Sequence, residues 1–186
     1  TAQIYDRSGR RVATIAMHTA RWAATATRLS NGDVLVLGGM TAVGATRAAE
    51  LYEPSTGAFR ELAPMRFARA GHTATPLPDG RVLIAAGERA PGRYVSVTEL
   101  YDPRTGRSMP TATGARRIFQ TALLIDNGSV LMFGGRNNRR NVKCAIIFDP
   151  ARNNYLDAGE PVSAGASTLV FKSPTGRLIT HRIRSA

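Results

Sequence analysis

Three segments of the chain decide its fold, and they read Met65-Arg-Phe-Ala-Arg-Ala-Gly-His-Thr-Ala-Thr75, Asp79-Gly-Arg-Val-Leu-Ile-Ala-Ala-Gly87 and Glu99-Leu-Tyr-Asp-Pro-Arg-Thr-Gly106. Related segments precede and follow them. The pairs Asn31-Gly32, Asp79-Gly80 and Asn127-Gly128 stand 48 residues apart, and Thr175-Gly176 comes another 48 residues later. A fixed period of this length is typical of repeat proteins, whose units bury their apolar faces by stacking on copies of themselves.

Each of these pairs lies between two apolar segments. The segments are 22–29 and 33–37, 70–77 and 81–85, 118–125 and 129–133, and 166–172 and 177–181. Asn-Gly and Asp-Gly tolerate the positive φ angles of a type I′ turn, whose twist matches the strands beside it. The pattern therefore predicts four tight β-hairpins.

A third strand in each repeat ends in an aromatic residue, an acidic residue and a proline. These are Tyr52-Glu53-Pro54, Tyr101-Asp102-Pro103 and Phe148-Asp149-Pro150. The acidic side chain can accept hydrogen bonds from the turn backbone, and Gly57, Gly106 or Asn153 can adopt the left-handed conformation that closes it. A short fourth strand follows, and a small-residue pair after the second strand, such as Gly38-Gly39, predicts close approach of a neighbouring backbone or ring.

The predicted fold class is all-β, with four antiparallel strands per repeat of about 48 residues, which is typical of a β-propeller blade. The quoted motifs resemble a Kelch repeat of the bacterial, galactose-oxidase-like type. The resemblance covers nearly the whole chain in about three full copies. The fourth strand departs from the family, since Phe59, Ser108 and Tyr155 stand where tryptophan is usual, and Arg182-Ile183 replaces the last glycine pair.

The repeat divides the single domain 1–186 into blade-sized segments. The segments are 1–16 (second half of a blade), 17–64, 65–112, 113–160 and 161–186 (first half of a degenerate blade). Together they make about four blade equivalents, and exposed strand edges must be covered. Three arrangements would do this: a four-bladed ring closed by pairing of the chain ends, an eight-bladed ring of two chains, or a segment of a larger propeller.

One arginine opens the first strand of each repeat at Arg21, Arg69 and Arg117. In a propeller these residues would surround one mouth of the central channel, where guanidinium groups can bind a carboxylate. Arginines at this place contact acidic peptides in animal Kelch substrate adaptors, and the resemblance implies the same role here. The alternative is structural, with each arginine bound to carbonyls of the neighbouring blade. Trp22 and His72 are further ligand candidates, although an apolar contact is the alternative for Trp22.

An enzyme of the galactose-oxidase kind is the alternative function, because that family holds copper with two histidines and two tyrosines, one tyrosine cross-linked to cysteine. His18, His72 and His181 occupy three different positions of the repeat, and Cys144 is expected to be a buried core thiol. Glu50 and Glu99 recur in the third strand and are expected to pair with arginines. The sequence therefore predicts no catalytic residues, no metal ligands and no cofactor.

The formal net charge is +12, from 25 basic residues of which only Lys143 and Lys172 are lysines. The arginines are spread over all repeats, which argues against nucleic acid as the partner. The exception is the loop 136–143, where Arg136, Arg139 and Arg140 form a basic cluster that could contact phosphate or remain a solvated loop.

No apolar run is long enough for a membrane helix and no signal peptide is recognisable, although the chain begins without Met inside a repeat, which is consistent with a longer parent. The single cysteine is compatible with cytoplasmic or secreted location. The predicted function is a non-catalytic binding module for a protein or glycan ligand, with an acidic ligand as one expectation, and with a homodimer as one way to complete the ring.

Overall fold

The computed structural model of the chain describes residues 1–114, 116–138, 140–164, 168–173 and 175–182. Over these residues it contains β-strands and no helix, so the all-β prediction is confirmed. No helix that could cross a membrane is found in the described ranges. The described strands form two four-stranded sheets, one six-stranded sheet that includes the last hairpin, and four two-stranded hairpins.

The chain begins with a hairpin and then builds unit one, a four-stranded antiparallel sheet with a small hairpin inserted after its second strand. The first hairpin consists of β1 (Ala2–Tyr5) and β2 (Arg11–Ile15). The strands of unit one are β3 (Thr25–Arg28), β4 (Val34–Leu37), β5 (Met40–Thr41), β6 (Gly44–Ala45), β7 (Ala49–Glu53) and β8 (Ala58–Leu62). The order in the sheet is β3-β4-β7-β8, and β5 pairs with β6 as hairpin one.

Units two and three repeat this arrangement. Unit two contains β9 (Thr73–Pro76), β10 (Val82–Ala85), β11 (Glu88–Ala90), β12 (Arg93–Tyr94), β13 (Val97–Asp102) and β14 (Arg107–Thr113). Unit three contains β15 (Thr121–Leu124), β16 (Val130–Phe133), β17 (Arg136–Asn137), β18 (Arg140–Asn141), β19 (Ala145–Asp149) and β20 (Asn154–Ala164). The pair β11 and β12 is hairpin two, and the pair β17 and β18 is hairpin three.

The turn between the first two strands differs from the predicted type I′ turn. The N–H of Gly32 donates to the carbonyl of Leu29, and the N–H of Leu29 donates to the carbonyl of Asp33. Gly32 has φ +92°, whereas Asn31 is not among the residues with positive φ. This is a three-residue loop with a type I turn and a left-handed glycine. The prediction of type I′ was wrong because only the glycine, and not the residue before it, needs positive φ.

The turn between the third and fourth strands agrees with the sequence. Asp102 Oδ1 accepts the N–H of Arg104 at 3.0 Å, and Asp149 Oδ1 accepts the N–H of Ala151 at 2.9 Å. The turn closes on a left-handed residue in each unit, namely Gly57 (φ +68°), Gly106 (φ +67°) and Asn153 (φ +51°).

The units pack face to face, with one apolar core in each gap. Alternate side chains of a strand point to opposite faces, so Val82 and Ile84 of β10 pack toward unit one while Leu83 and Ala85 pack toward unit three. A third core lies between unit three and the last hairpin, and Phe171 is its fully buried aromatic residue. Because the second strands are buried on both faces, they read as continuous apolar runs.

Hydrogen bonds between equivalent backbone positions connect neighbouring units. The N–H of Gly39 donates to the carbonyl of Arg69, and the N–H of Gly87 donates to the carbonyl of Arg117, both at 2.9 Å. A Cβ on Gly39 would lie 2.7 Å from the carbonyl oxygen of Trp22. The predicted close approach at the small-residue pairs is therefore confirmed at Gly39.

The last hairpin joins unit three in one curled six-stranded sheet, through β20, β21 (Thr168–Lys172) and β22 (Leu178–Arg182). The first part of β20 pairs with β19 and the second part with β21. Gly159, at φ +85°, stands where the two pairings meet. The first hairpin is a separate two-stranded sheet, so the described strands of the two chain ends do not pair with each other.

Candidate functional site

The repeated arginine of unit two is the centre of a buried polar cluster. Nη1 of Arg69 donates to the carbonyl of Ala86 at 2.8 Å, and Nη2 donates to the carbonyl of Val97 at 2.8 Å and to Oε1 of Glu99 at 2.7 Å. The side chains of Arg69 and Glu99 are both fully buried. Burial lowers the pKa of Arg69, and the adjacent carboxylate opposes that shift. The side chain of Arg69 therefore binds carbonyl and carboxylate groups of its own unit, and not carbonyl groups of the neighbouring unit as the structural alternative expected.

Unit one repeats the cluster with Arg21 and Glu50. Nη1 of Arg21 donates to Oε1 of Glu50, and both side chains are buried. Burial alone would raise the pKa of Glu50, but hydrogen bonds from the N–H groups of His18 and Thr19 and from Arg21 outweigh it and lower the pKa. The predicted pairing of Glu50 and Glu99 with arginines is confirmed.

Unit three lacks the carboxylate, because Ile146 stands where the other units have glutamate. Arg117 is nevertheless fully buried. Nη1 donates to the carbonyls of Gly134 and Cys144, both at 3.0 Å. Burial lowers the pKa of Arg117. The unit thus holds a buried cation on carbonyl groups without an acidic partner among the described residues.

His72 lies between units one and two. Its Nε2 is 3.0 Å from Oγ1 of Thr25, and burial lowers its pKa to about 3. The equivalent Gln120 donates from Nε2 to Oγ1 of Thr73, also at 3.0 Å. Both residues tie neighbouring units together. Ligand binding by His72 or by the three buried arginines stays a prediction.

Trp22 has a different environment. Its backbone pairs with Met40, while the residue as a whole is 67% exposed. The exposed side chain of Trp22 does not make the apolar contact that was the alternative expectation. Trp22 therefore stays a candidate for stacking on a ligand. Phe119, which the sequence did not single out, is 59% exposed, and the guanidinium group of Arg136 lies 5.4 Å from its ring centroid.

Hairpins two and three form an open cleft that we call the arginine cleft. The N–H of Asn138 on hairpin three donates to the hydroxyl of Tyr94 on hairpin two at 2.7 Å. The cleft has a volume of about 430 Å³. Its lining residues are Arg89, Gly92, Arg93, Tyr94, Arg116, Asn137 and Asn138.

The arginines of this cleft are not neutralised within the described chain. Arg89, Arg93 and Arg116 are exposed, and none of them has an ion pair with a described carboxylate. Glu88 on hairpin two accepts the N–H of Gly92 instead, at 3.1 Å. Three positive charges therefore remain available to a ligand.

A second cleft, of about 440 Å³, lies at the opposite turns of units one and two. Its arginines are occupied: Arg60 pairs with Glu53 at 3.0 Å, and Arg104 pairs with Asp102 at 3.2 Å. This cleft offers no spare charge from those residues and is the weaker candidate.

The predicted basic loop is only partly joined to the arginine cleft. Arg136 stacks on Phe119, Arg140 is exposed on β18, and Arg139 lies outside the described residues. Neither Arg116 nor Tyr94 was identified from the sequence. A usable signal existed for Arg116, because the repeat has alanine at the equivalent positions Ala20 and Ala68.

The residues considered for copper do not converge. His18 lies beside Glu50, with Nδ1 3.3 Å from Oε2, whereas His72 is between units and His181 is on β22. Over the described ranges, no group of three or more His, Cys, Asp and Glu residues could hold a metal ion. These residues therefore do not fit the copper site of the alternative function.

Cys144 is exposed, which corrects the prediction of a buried core thiol. It precedes β19, and it lines an open groove with Asp157 and Lys172. A residue just outside the strand ladder is not enclosed between two stacked sheets, and the alignment with apolar positions did not show this.

No known family model matches the chain, and no curated protein matches it.

Proposed function

We propose that the chain is part of a Kelch-type β-propeller, in which each four-stranded unit is a blade, and that it is a non-catalytic module binding an acidic protein or glycan ligand at its loops. The propeller assignment is supported by the 48-residue repeat, the face-to-face packing and the hydrogen bonds between equivalent inner positions. Propellers are scaffolds whose loops set the partner.

The observation that carries the binding function is the contrast between two sets of arginines. Arg21, Arg69 and Arg117 are buried and bound to the chain's own carbonyls and carboxylates. Arg89, Arg93 and Arg116 are exposed on one cleft without acidic partners among the described residues. Unpaired guanidinium groups bind carboxylate, sulfate and phosphate through paired, charge-assisted hydrogen bonds.

Arrays of glycans and peptides probed with the intact chain test this function. We expect retention on anionic probes and release by salt, because salt screens exposed charges. Equal retention on neutral and anionic probes would contradict an acidic ligand, and no retention on any probe would contradict the binding function.

Light scattering tests how the propeller is completed. The chain has a mass of 19.9 kDa. A solution mass of twice this value supports two chains sharing an eight-bladed ring, in which β1 of one copy lies beside β22 of the other. A mass equal to one chain would contradict that homodimer and favour a segment of a larger propeller, because the described end strands do not pair within one chain.

A further inference from the structure

The arginine cleft breaks the symmetry of the repeat. Hairpin one is equivalent to hairpin two, since Met40 pairs with Ala45 as Glu88 pairs with Tyr94. The positions that correspond to Arg89, Arg93 and Tyr94 in unit one, and to Arg116 before the first strand of unit two, hold Thr41, Gly44, Ala45 and Ala68. None of these four residues carries a charge or an aromatic ring. Because hairpin one forms without charged or aromatic residues at these positions, the fold itself does not require Arg89, Arg93, Tyr94 or Arg116.

The cleft is held by the buried structure beneath it. Arg116 directly precedes Arg117, whose side chain binds two carbonyls of unit three. Ile118 then forms a backbone bridge with Arg136 at the base of hairpin three. Tyr94 connects the two walls through its hydrogen bond with Asn138. A ligand therefore meets arginines on anchored backbone, which lowers the entropic cost of binding.

The lining also restricts the chemistry of the ligand. The described lining consists of Arg89, Gly92, Arg93, Tyr94, Arg116, Asn137 and Asn138, and no aliphatic side chain is among these described residues. Tight peptide recognition generally needs an apolar anchor in a pocket. Amide and guanidinium groups instead suit a ligand that presents hydroxyl groups together with carboxylate or sulfate.

We infer that the arginine cleft binds an anionic saccharide, a sugar chain carrying uronate carboxylates or sulfate esters. This inference rests on the proposed binding function and assigns its ligand class. Arg89, Arg93 and Arg116 hold the anionic groups, and Asn137 and Asn138 bind hydroxyls beside them.

Titration calorimetry with the intact chain tests the inference. The probes are a galacturonate oligosaccharide, a heparin oligosaccharide, neutral maltohexaose and poly-glutamate. A cleft variant carries Arg89→Gln, Arg93→Gln and Arg116→Gln. The matched control carries Arg7→Gln, Arg28→Gln and Arg177→Gln, which removes the same charge from exposed arginines elsewhere.

We expect one of the two anionic oligosaccharides to bind, and maltohexaose and poly-glutamate to bind far more weakly. The galacturonate and heparin titrations distinguish carboxylate from sulfate as the recognised group. The cleft variant should lose about 30-fold or more in affinity, and the control less than about 3-fold, because hydrogen bonds to charged groups outweigh long-range attraction in salt.

Equal losses in both variants would overturn the site, since net charge alone would then explain binding. Tighter binding of poly-glutamate would overturn the saccharide and leave the proposed acidic protein ligand. If the cleft variant retains full binding, the arginine cleft is not the site, but the proposed binding function stands. If the intact chain binds no titration probe and no array probe, both the saccharide site and the proposed binding function are contradicted.

Discussion

Nη2 of Arg69 lies 2.7 Å from Oε1 of Glu99, and neither side chain is exposed to solvent. The same carboxylate also accepts the N–H groups of Arg66 and Phe67, at 2.7 and 3.2 Å. Removal of one partner from such a pair leaves the other as an uncompensated buried charge. The pair therefore holds the backbone at Arg66 and Phe67, in the segment that precedes the first strand of unit two.

Substitution of Arg69 with methionine should lower the free energy of unfolding by about 3–5 kcal/mol, because Glu99 then loses its buried partner. Urea denaturation followed by circular dichroism measures this. Arg28→Met, on the exposed surface of β3, is the control and should change little. An unchanged midpoint combined with lost binding of an acidic ligand would support the ligand role instead.

Arg117→Met should destabilise the protein less than Arg69→Met, because no described carboxylate is left unpaired when Arg117 is removed. The difference between the two losses of unfolding free energy should be about 2 kcal/mol or more. Its carbonyl partners lose hydrogen bonds but carry no full charge. The comparison uses the same denaturation experiment. Equal losses for the two variants would mean that the carbonyl contacts, and not the glutamate, dominate both clusters.

His72 should make the protein sensitive to mild acid. Its folded pKa of about 3 lies below the ordinary value of 6.5, because burial disfavours the charged ring. The unfolded chain therefore takes up a proton below pH 6.5, and stability present above that pH is lost as the pH falls towards 3. This group alone should cost about 2 kcal/mol at pH 5 relative to pH 7.

His72→Gln should remove that loss while keeping the contact with Thr25, as Gln120 does with Thr73 in the next unit. Unfolding free energies at pH 7 and pH 5 are compared for both proteins, so the titration of carboxylates cancels. An identical pH dependence in the variant would show that His72 does not remain neutral in the fold.

Gly114 should not tolerate alanine, because a Cβ there would lie 2.7 Å from the ring carbon Cζ of Tyr155. The backbone of Gly114 is not left-handed, so the cost is steric and should be about 1–3 kcal/mol. A double-mutant cycle with Tyr155→Leu measures the coupling by thermal denaturation. Strictly additive losses would contradict a direct steric contact between residue 114 and Tyr155.

Much of the fold was predictable because its signals are local. The apolar runs, the glycine turns and the acidic residue before proline each act within a few residues, and the predicted hairpins at Gly32, Gly80, Gly128 and Gly176 are present. The type of turn was not predictable from Asn-Gly alone, because that pair fits both a type I′ turn and a type I turn closed by a left-handed glycine.

The candidate site was less predictable. The repeat identified Arg69 as a candidate, although its recurrence reflects a buried structural ion pair. It did not identify Arg116, because this arginine does not recur in the other units. Recurrence alone does not separate these cases, because a residue required by every unit and a residue repeated for binding have the same spacing.

The sequence by itself determined the all-β class, the 48-residue unit and the pairing of strands within it, since these depend on residue alternation and on turn residues close together along the chain. Only the tertiary structure decided which arginines are buried, that Cys144 is exposed, and that Arg89, Arg93 and Arg116 share one cleft. The physical reason is that burial and charge pairing depend on which surfaces of neighbouring units are brought into contact, and those surfaces are formed by residues distant in sequence.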